Sequence, residues 1–426
     1  MRLADDWWTE DPAIEVVSAS DPEAAEPLGR VALVEVSDEF ACHLSWGVEL
    51  FVHGEYAYLV RETYDRVTYD ARLVLDTIDL HDPTAPTWLG AVDLPFSRGW
   101  GGYGVGMNTG ELASLVLGDA MVFASSDSQY DGEMYIGERG TLEVVDLTSP
   151  AAPVHAATLK RPFALAQGGL LVQDDTLMSW HMGAVEGDPA KVRFYFDRFD
   201  VSSPTSPTAA TPINVPGQIV SHDASSDRVV TVGFELERVA MSAPDCWSST
   251  RVWSYDEATG ECLFDHRPLH LLALGDDSAE LLDTLDVEAD DRRLVTVMGA
   301  GDVVFAQLRN GNDWGGWDAG AGAERAGDAV TDEIAVISGT DGNALGEDSR
   351  VVLAEGTMWV SLVGVTDDLA LFVSAAGLGI VDAADPEAPT VTVTPTYGWG
   401  CYQIEITDDA AYCPMGAYGL QAIALP

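Results

Sequence analysis

Basic residues are scarce in this chain and lysine is nearly missing: 21 Lys and Arg, of which only Lys160 and Lys191 are lysines, stand against 70 Asp and Glu, for a net charge of −49. A surface of that sign repels phosphate backbones and anionic lipid, so nucleic acid and membrane surfaces are not expected partners, whereas cations and basic groups are. Long apolar runs are missing as well. The longest, 369–381, is interrupted by Gly and Ser and is too short to cross a bilayer, so no membrane insertion is expected. The start, Met1-Arg2-Leu3-Ala4-Asp5-Asp6-Trp7-Trp8, turns acidic at once and lacks the apolar core of a leader, which is expected to be absent from this chain or removed. Cysteine is sparse. Cys42, Cys246, Cys262, Cys401 and Cys413 show no CxxC spacing, which argues against structural zinc. A disulfide could close the polar segment between Cys246 and Cys262; Cys401 and Cys413 fall on neighbouring strands of one expected hairpin, and Cys42 could pair with either. An oxidising compartment is the expectation. No GxSxG, P-loop, HExxH or dinucleotide fingerprint occurs, so no catalytic or cofactor-binding residue is assigned.

What the chain does contain is a recurring phrase: an alternating strand, an Asp-Pro or Ser-Pro turn, and a second short strand. Leu73-Val74-Leu75-Asp76-Thr77-Ile78-Asp79-Leu80 precedes Asp82-Pro83-Thr84-Ala85-Pro86, and Leu142-Glu143-Val144-Val145-Asp146-Leu147 precedes Ser149-Pro150. Phe194-Tyr195-Phe196-Asp197-Arg198-Phe199-Asp200-Val201 precedes Ser203-Pro204, and Leu378-Gly379-Ile380-Val381-Asp382 precedes Asp385-Pro386-Glu387-Ala388-Pro389. Strands repeated at such a period, with 47% hydrophobic residues to form a core, predict an all-β protein made by radial repetition of four-stranded antiparallel units. Acidic hairpin turns, such as Gly118-Asp119, Asp174-Asp175 and Asp367-Asp368, and the alternating strands, which persist where the Asp-Pro turn decays at 275–278 and 339–342, each mark seven units, at about 46–94, 112–159, 167–215, 217–287, 292–354, 357–394 and 400–425. The last lacks an outer strand. Residues 28–36 repeat the strand that follows the turn, so they are expected to close the ring by pairing with the C-terminal unit. Residues 1–27 then form an extension in which Ile14-Glu15-Val16-Val17 is either an extra edge strand or the remnant of an eighth unit.

The strand, the Asp-Pro-x-x-Pro turn and the acidic hairpin resemble the secreted bacterial β-propeller proteins with LVIVD-type repeats, best in Gly54-Glu55-Tyr56-Ala57-Tyr58-Leu59-Val60 and in 377–389. The resemblance implies a seven-bladed propeller exported from the cell. It carries no shared catalytic residue, because propellers host enzymes and binding modules alike.

The segments joining the second and third strands of each unit, at 63–71, 126–140, 183–191, 240–267 and 310–332, are long and share one face, where binding is expected. Trp314, Trp317, Trp247 and Trp253 are the candidate ligand-stacking residues, and Asp127, Asp131, Asp313 and Asp318 the candidate calcium ligands, although neither run has EF-hand spacing. The reading is a non-catalytic extracellular or cell-surface module for a protein or glycan, with calcium as its candidate ion. The alternative is a secreted hydrolase or lyase acting on polysaccharide through carboxylates near the channel.

Overall fold

The computed structural model describes residues 2–4, 13–18, 27–33, 40–41, 49–65, 71–96, 112–132, 134–173, 176–186, 188–223, 225–242, 252–256, 259–287, 292–300, 302–310, 331–355, 360–395, 404–407, 410–414 and 420–425. Among them every helix or strand is a strand, and every pairing between strands is antiparallel to a chain neighbour or near neighbour. Eight sheets follow one another along the chain. Sheet 1 holds Arg2–Ala4, Ala13–Val17 and Pro27–Ala32; sheet 2 runs from Phe40–Ala41 and Glu49–His53 through Tyr56–Asp65 and Ala71–Asp79 to Thr87–Leu94. Sheet 3 is Ser114–Leu117, Ala120–Asp131, Met134–Asp146 and Val154–Ala164. In sheet 4, Thr176–Val185 and Asp188–Asp200 are flanked by short pieces, among them Ala166–Gln167 and Ile213–Val215. Sheet 5 is Gly217–Asp223, Arg228–Gly233, Leu269–Leu274 and Ala279–Leu285, and a three-stranded sheet over 235–266 is inserted between its second and third strands. Sheet 6 spans Arg292–Ala300 to Gly346–Glu355, sheet 7 spans Val360–Thr366 to Thr390–Thr394, and sheet 8 is Glu405–Ile406, Ala410–Pro414 and Leu420–Ala424.

Alternation explains why the sheets stack in series. Successive side chains of a strand point to opposite faces, and in sheets 2 to 7 both faces feed a core. Tyr58 and Val60 join Met121 and Phe123 in a core between sheets 2 and 3, while Ala57 and Leu59 join Ile14 and Val31 in a core between sheets 1 and 2. The same division recurs at each step: Val122 and Leu142 pack on Leu177 of sheet 4, Val304 and Leu308 on Val230 of sheet 5, Phe305 on Phe372 of sheet 7, and Leu371 on Ala411 of sheet 8. The first strands of sheets 5, 6 and 7 also lie beside one another.

The recurring turn has one construction. Asp79, Asp146, Asp200 and Asp382 each accept, through Oδ1, the backbone N–H two residues on, at 2.9, 2.8, 3.0 and 3.0 Å. The next residues close a β-turn from Ala85 N–H to Asp82 O, Ala152 to Ser149, Ser206 to Ser203 and Ala388 to Asp385. Where the Asp-Pro signal is lost, the β-turn bond survives as Gly342 N–H to Gly339 O, while at 275–278 the bond runs the other way, from Gly275 N–H to Ser278 O.

The N-terminus corrects the expected closure of the ring. Pro27–Ala32 pairs with Ala13–Val17, with Ile14 opposite Val31, while Leu420–Ala424 pairs, among the described residues, with Ala410–Pro414. Local pairing closes a short loop, whereas the expected partner lies nearly the whole chain away and carries a larger closure entropy. Packing then holds the sheet in place: Ile14 is fully buried, and a Cβ on Gly29 would stand 2.5 Å from Pro86 in the turn of sheet 2. Ile14-Glu15-Val16-Val17 is thus the middle strand of a three-stranded sheet.

Candidate functional site

Of the segments expected to be long loops, 126–140 and 183–191 are long hairpins instead, 235–266 holds the inserted sheet, and 311–330 lies outside the described residues. In sheet 3 the first strand has 4 residues, but the second and third have 12 and 13, so the 126–140 segment continues the ladder outward. In sheet 4, 183–191 is likewise the end of a hairpin between Thr176–Val185 and Asp188–Asp200. The turn at Asp131-Gly132, where Gly132 has φ +64°, permits this reversal without a loop.

The sheet 3 hairpin ends in exposed rings. Tyr130 lies opposite Tyr135, and their rings meet edge to face at 5.9 Å. Tyr130 is 61% exposed, Tyr135 41%, Ile136 42% and Phe163, from the outer strand, 53%. Gly137 makes room for Phe163: its φ is +143°, and a Cβ there would come within 2.7 Å of that ring. The Tyr135 hydroxyl donates to Leu165 O at 2.7 Å, and burial, followed by the nearby Glu138 charge, holds its phenol well above the usual range. The Tyr130–Tyr135 pair stands on one face of the hairpin end, and Phe163, opposite Arg139 and over Gly137, on the other, so both faces carry exposed rings that suit stacking on a sugar face or a hydrophobic side chain.

Inside the sheets several polar residues are engaged with one another. Arg61 and Asp76, 1% and 0% exposed, form a two-point ion pair, and Trp88 Nε1–H donates to Asp76 Oδ1 at 2.9 Å. Glu143 Oε2 lies 2.9 Å from His155 Nε2 and accepts from Thr158 Oγ1. His181 Nδ1 lies 2.7 Å from Asp197 Oδ2, and its ring stacks on Tyr195. Asp76, Glu143 and Asp197 occupy one place in the repeated phrase, three residues before the turn aspartate, and in the fourth copy the place is Gly379, over which the Phe372 ring lies. Asp332 accepts from Arg309 and Gln307, and Gln307 also bonds the backbone of Val360 and Leu362 in sheet 7. These groups join strands and sheets.

Of the residues expected to bind metal, Asp127 is exposed and accepts from Gln129 Nε2 at 2.9 Å, and Asp131 is exposed at the end of its strand. Among the described residues no group of three or more His, Cys, Asp or Glu is gathered as a metal site. Asp313, Asp318, Trp314, Trp317, Trp247 and Cys246 lie outside the described residues, and Trp253 falls on the strand Val252–Asp256 of the inserted sheet. Cys262 and Cys413 are buried and disulfide-bonded. Tyr130, Tyr135, Ile136 and Phe163 were not singled out from the sequence. Their signal was the Asp131-Gly132 pair between two tyrosines, a hairpin cue inside what reads as a loop.

No protein-family model matches the chain, and no curated protein matches it. Among solved structures, it is similar to the β-propeller domain of the trilobed protease from Pyrococcus furiosus, with an open velcro topology, at 10% identity and a TM-score of 0.41, covering 86% of this chain and 88% of that one. It is also similar to the acylaminoacyl peptidase of Pyrococcus horikoshii, at 9% identity and a TM-score of 0.30, covering 79% of this chain and 51% of the peptidase. A third is Sqt1 from Chaetomium thermophilum, at 8% identity and a TM-score of 0.29, covering 64% and 68%.

Proposed function

We propose that this chain is an extracellular β-propeller of the LVIVD-repeat kind that acts as a binding module, with the projecting hairpins of sheets 3 and 4 as its working face and a glycan or protein as its partner. The sheets in series, with sheets 2 to 7 each contributing to two core clusters, support the propeller reading. The observation that carries the binding role is the exposed Tyr130–Tyr135 pair with Ile136 and Phe163. Burial of such rings against a partner is worth far more than their place on a bare hairpin tip. In the second reading, a polysaccharide hydrolase or lyase, two carboxylates must be available to substrate; Asp76, Glu143, Asp197 and Asp332 are instead bound to cationic or donor side chains.

The test is a binding screen of the intact protein against polysaccharides and cell-surface protein extracts, repeated with Tyr130→Ala combined with Phe163→Ala. Loss of at least about tenfold in affinity is expected, with melting nearly unchanged. Binding that survives the double substitution places the partner on another face, and turnover of a polysaccharide in the same screen favours the enzyme.

A further inference from the structure

Beneath the aromatic hairpin lies a group of oxygens that the rest of the molecule leaves unused. Glu138 is 1% exposed, and neither of its carboxylate oxygens has a hydrogen-bond partner; Ser126 Oγ and Gln167 Oε1 are also buried without one. Strand register brings these residues together. Ser126 lies opposite Gly140 and Ser128 opposite Glu138, so Ser126, Glu138 and Gly140 share one face of the sheet, the face whose Leu142 and Val144 pack against sheet 4. Directly opposed Cβ positions are about 4.5–5.5 Å apart and diagonal ones roughly 7–8 Å, within reach of a glutamate side chain.

Gln167 comes from sheet 4. Its Oε1 stands 1.7 Å from where a Cβ on Gly140 would be, so the glycine is what admits it. Its amide cannot be reversed, because Nε2 donates to Pro162 O at 2.9 Å and reaches Glu138 O at 3.5 Å, and both are carbonyls. The Tyr135 hydroxyl has a single proton and gives it to Leu165 O. Register and the Gln167 contact therefore place four buried oxygens from three residues on the face of Gly140, with only the Ser126 hydroxyl able to donate among them. A carboxylate removed from water without donors is strongly destabilising unless a positive charge accompanies it, and a set of carboxylate, amide and hydroxyl oxygens is what hard cations prefer.

We propose that Glu138, Ser126 and Gln167 form a site for a hard, oxygen-seeking metal cation held between sheets 3 and 4. Asp127 projects from the other face of its strand, so the exposed acids expected to bind calcium are not part of this site. The inference is independent of the binding role, although a cation here would brace the hairpin that carries Tyr130 and Tyr135.

The experiment measures melting of the full chain in calcium, magnesium, sodium or potassium chloride, each against choline chloride at matched ionic strength, which separates site binding from general screening of the acidic surface. One metal should raise the melting temperature of the wild type by about 2–5 °C over choline, and Glu138→Gln should lose that rise. In choline the isosteric Glu138→Gln should melt at or above the wild type, since it removes a buried charge whose oxygens have no hydrogen-bond partner. No metal shift in the wild type, a shift retained in Glu138→Gln, a variant that melts well below wild type in choline, or a shift lost in Asp127→Asn instead would each overturn the site.

Discussion

At the scale of single residues, the buried charges of sheet 2 compensate each other directly. Arg61 and Asp76 illustrate the balance: each is fully buried, and the guanidinium is met at two points by the carboxylate, which also accepts from Trp88. Removing one charge leaves the other without compensation in a medium that solvates it poorly. Asp76→Asn preserves volume and the acceptor for Trp88, yet it should lower unfolding stability by about 3–5 kcal/mol, measured by urea denaturation. A loss below about 1 kcal/mol would mean that Arg61 finds water or another partner. Sequence alone showed an acid at this place in three copies of the phrase. It did not show that the acid was buried, because a strand with both faces covered reads the same locally as one with a single covered face.

At the scale of the element, the strand and turn repeat as one electrostatic unit. Asp79 is held below the usual carboxylate range chiefly by the His81 N–H, and Asp82 and Asp200 by the hydroxyls of Thr84 and Ser202 together with their N–H groups. Each depressed value means that the folded state prefers the ionised form. Its contribution is therefore present above the unfolded carboxylate pKa, near 4, and is lost as pH falls through the lower folded value. Melting temperature should hold from neutral pH to about pH 5 and fall below about pH 4, and Asp200→Asn should have a shallower acid slope because its amide oxygen accepts the same N–H without titrating. An unchanged slope would remove this turn from the acid response. The turn was legible in the sequence because it depends on residues within five positions of one another. The hairpin ends at 126–140 and 183–191 were not, because Gly, Ser and acidic residues are common in loops. Here, cross-strand pairing and the support of the outer strand of sheet 3 overrode that composition.

At the scale of the whole molecule, stability is a series of shared interfaces. Seven of the eight core clusters among the described residues draw on two successive sheets, so loss of one interface leaves the face of a neighbour uncovered. Ile14, between sheets 1 and 2, tests whether the N-terminal sheet belongs to that series. Ile14→Ala should cost roughly 2–5 kcal/mol and lower the main melting transition, read by calorimetry. If a small early transition appears while the main one stays in place, sheet 1 unfolds alone. By itself the sequence determined the all-β character, the repeating strand and turn, and the acidity, because alternation, Asx turns and composition are written in neighbouring residues. Only tertiary structure decided that 27–32 pairs with 13–17, that Tyr130 and Tyr135 meet at the end of a projecting hairpin, and that the oxygens of Ser126, Glu138 and Gln167 are buried on the face of Gly140. Each of these depends on which strand edge and which sheet face meet. That choice is made by packing and loop-closure entropy acting on the whole chain.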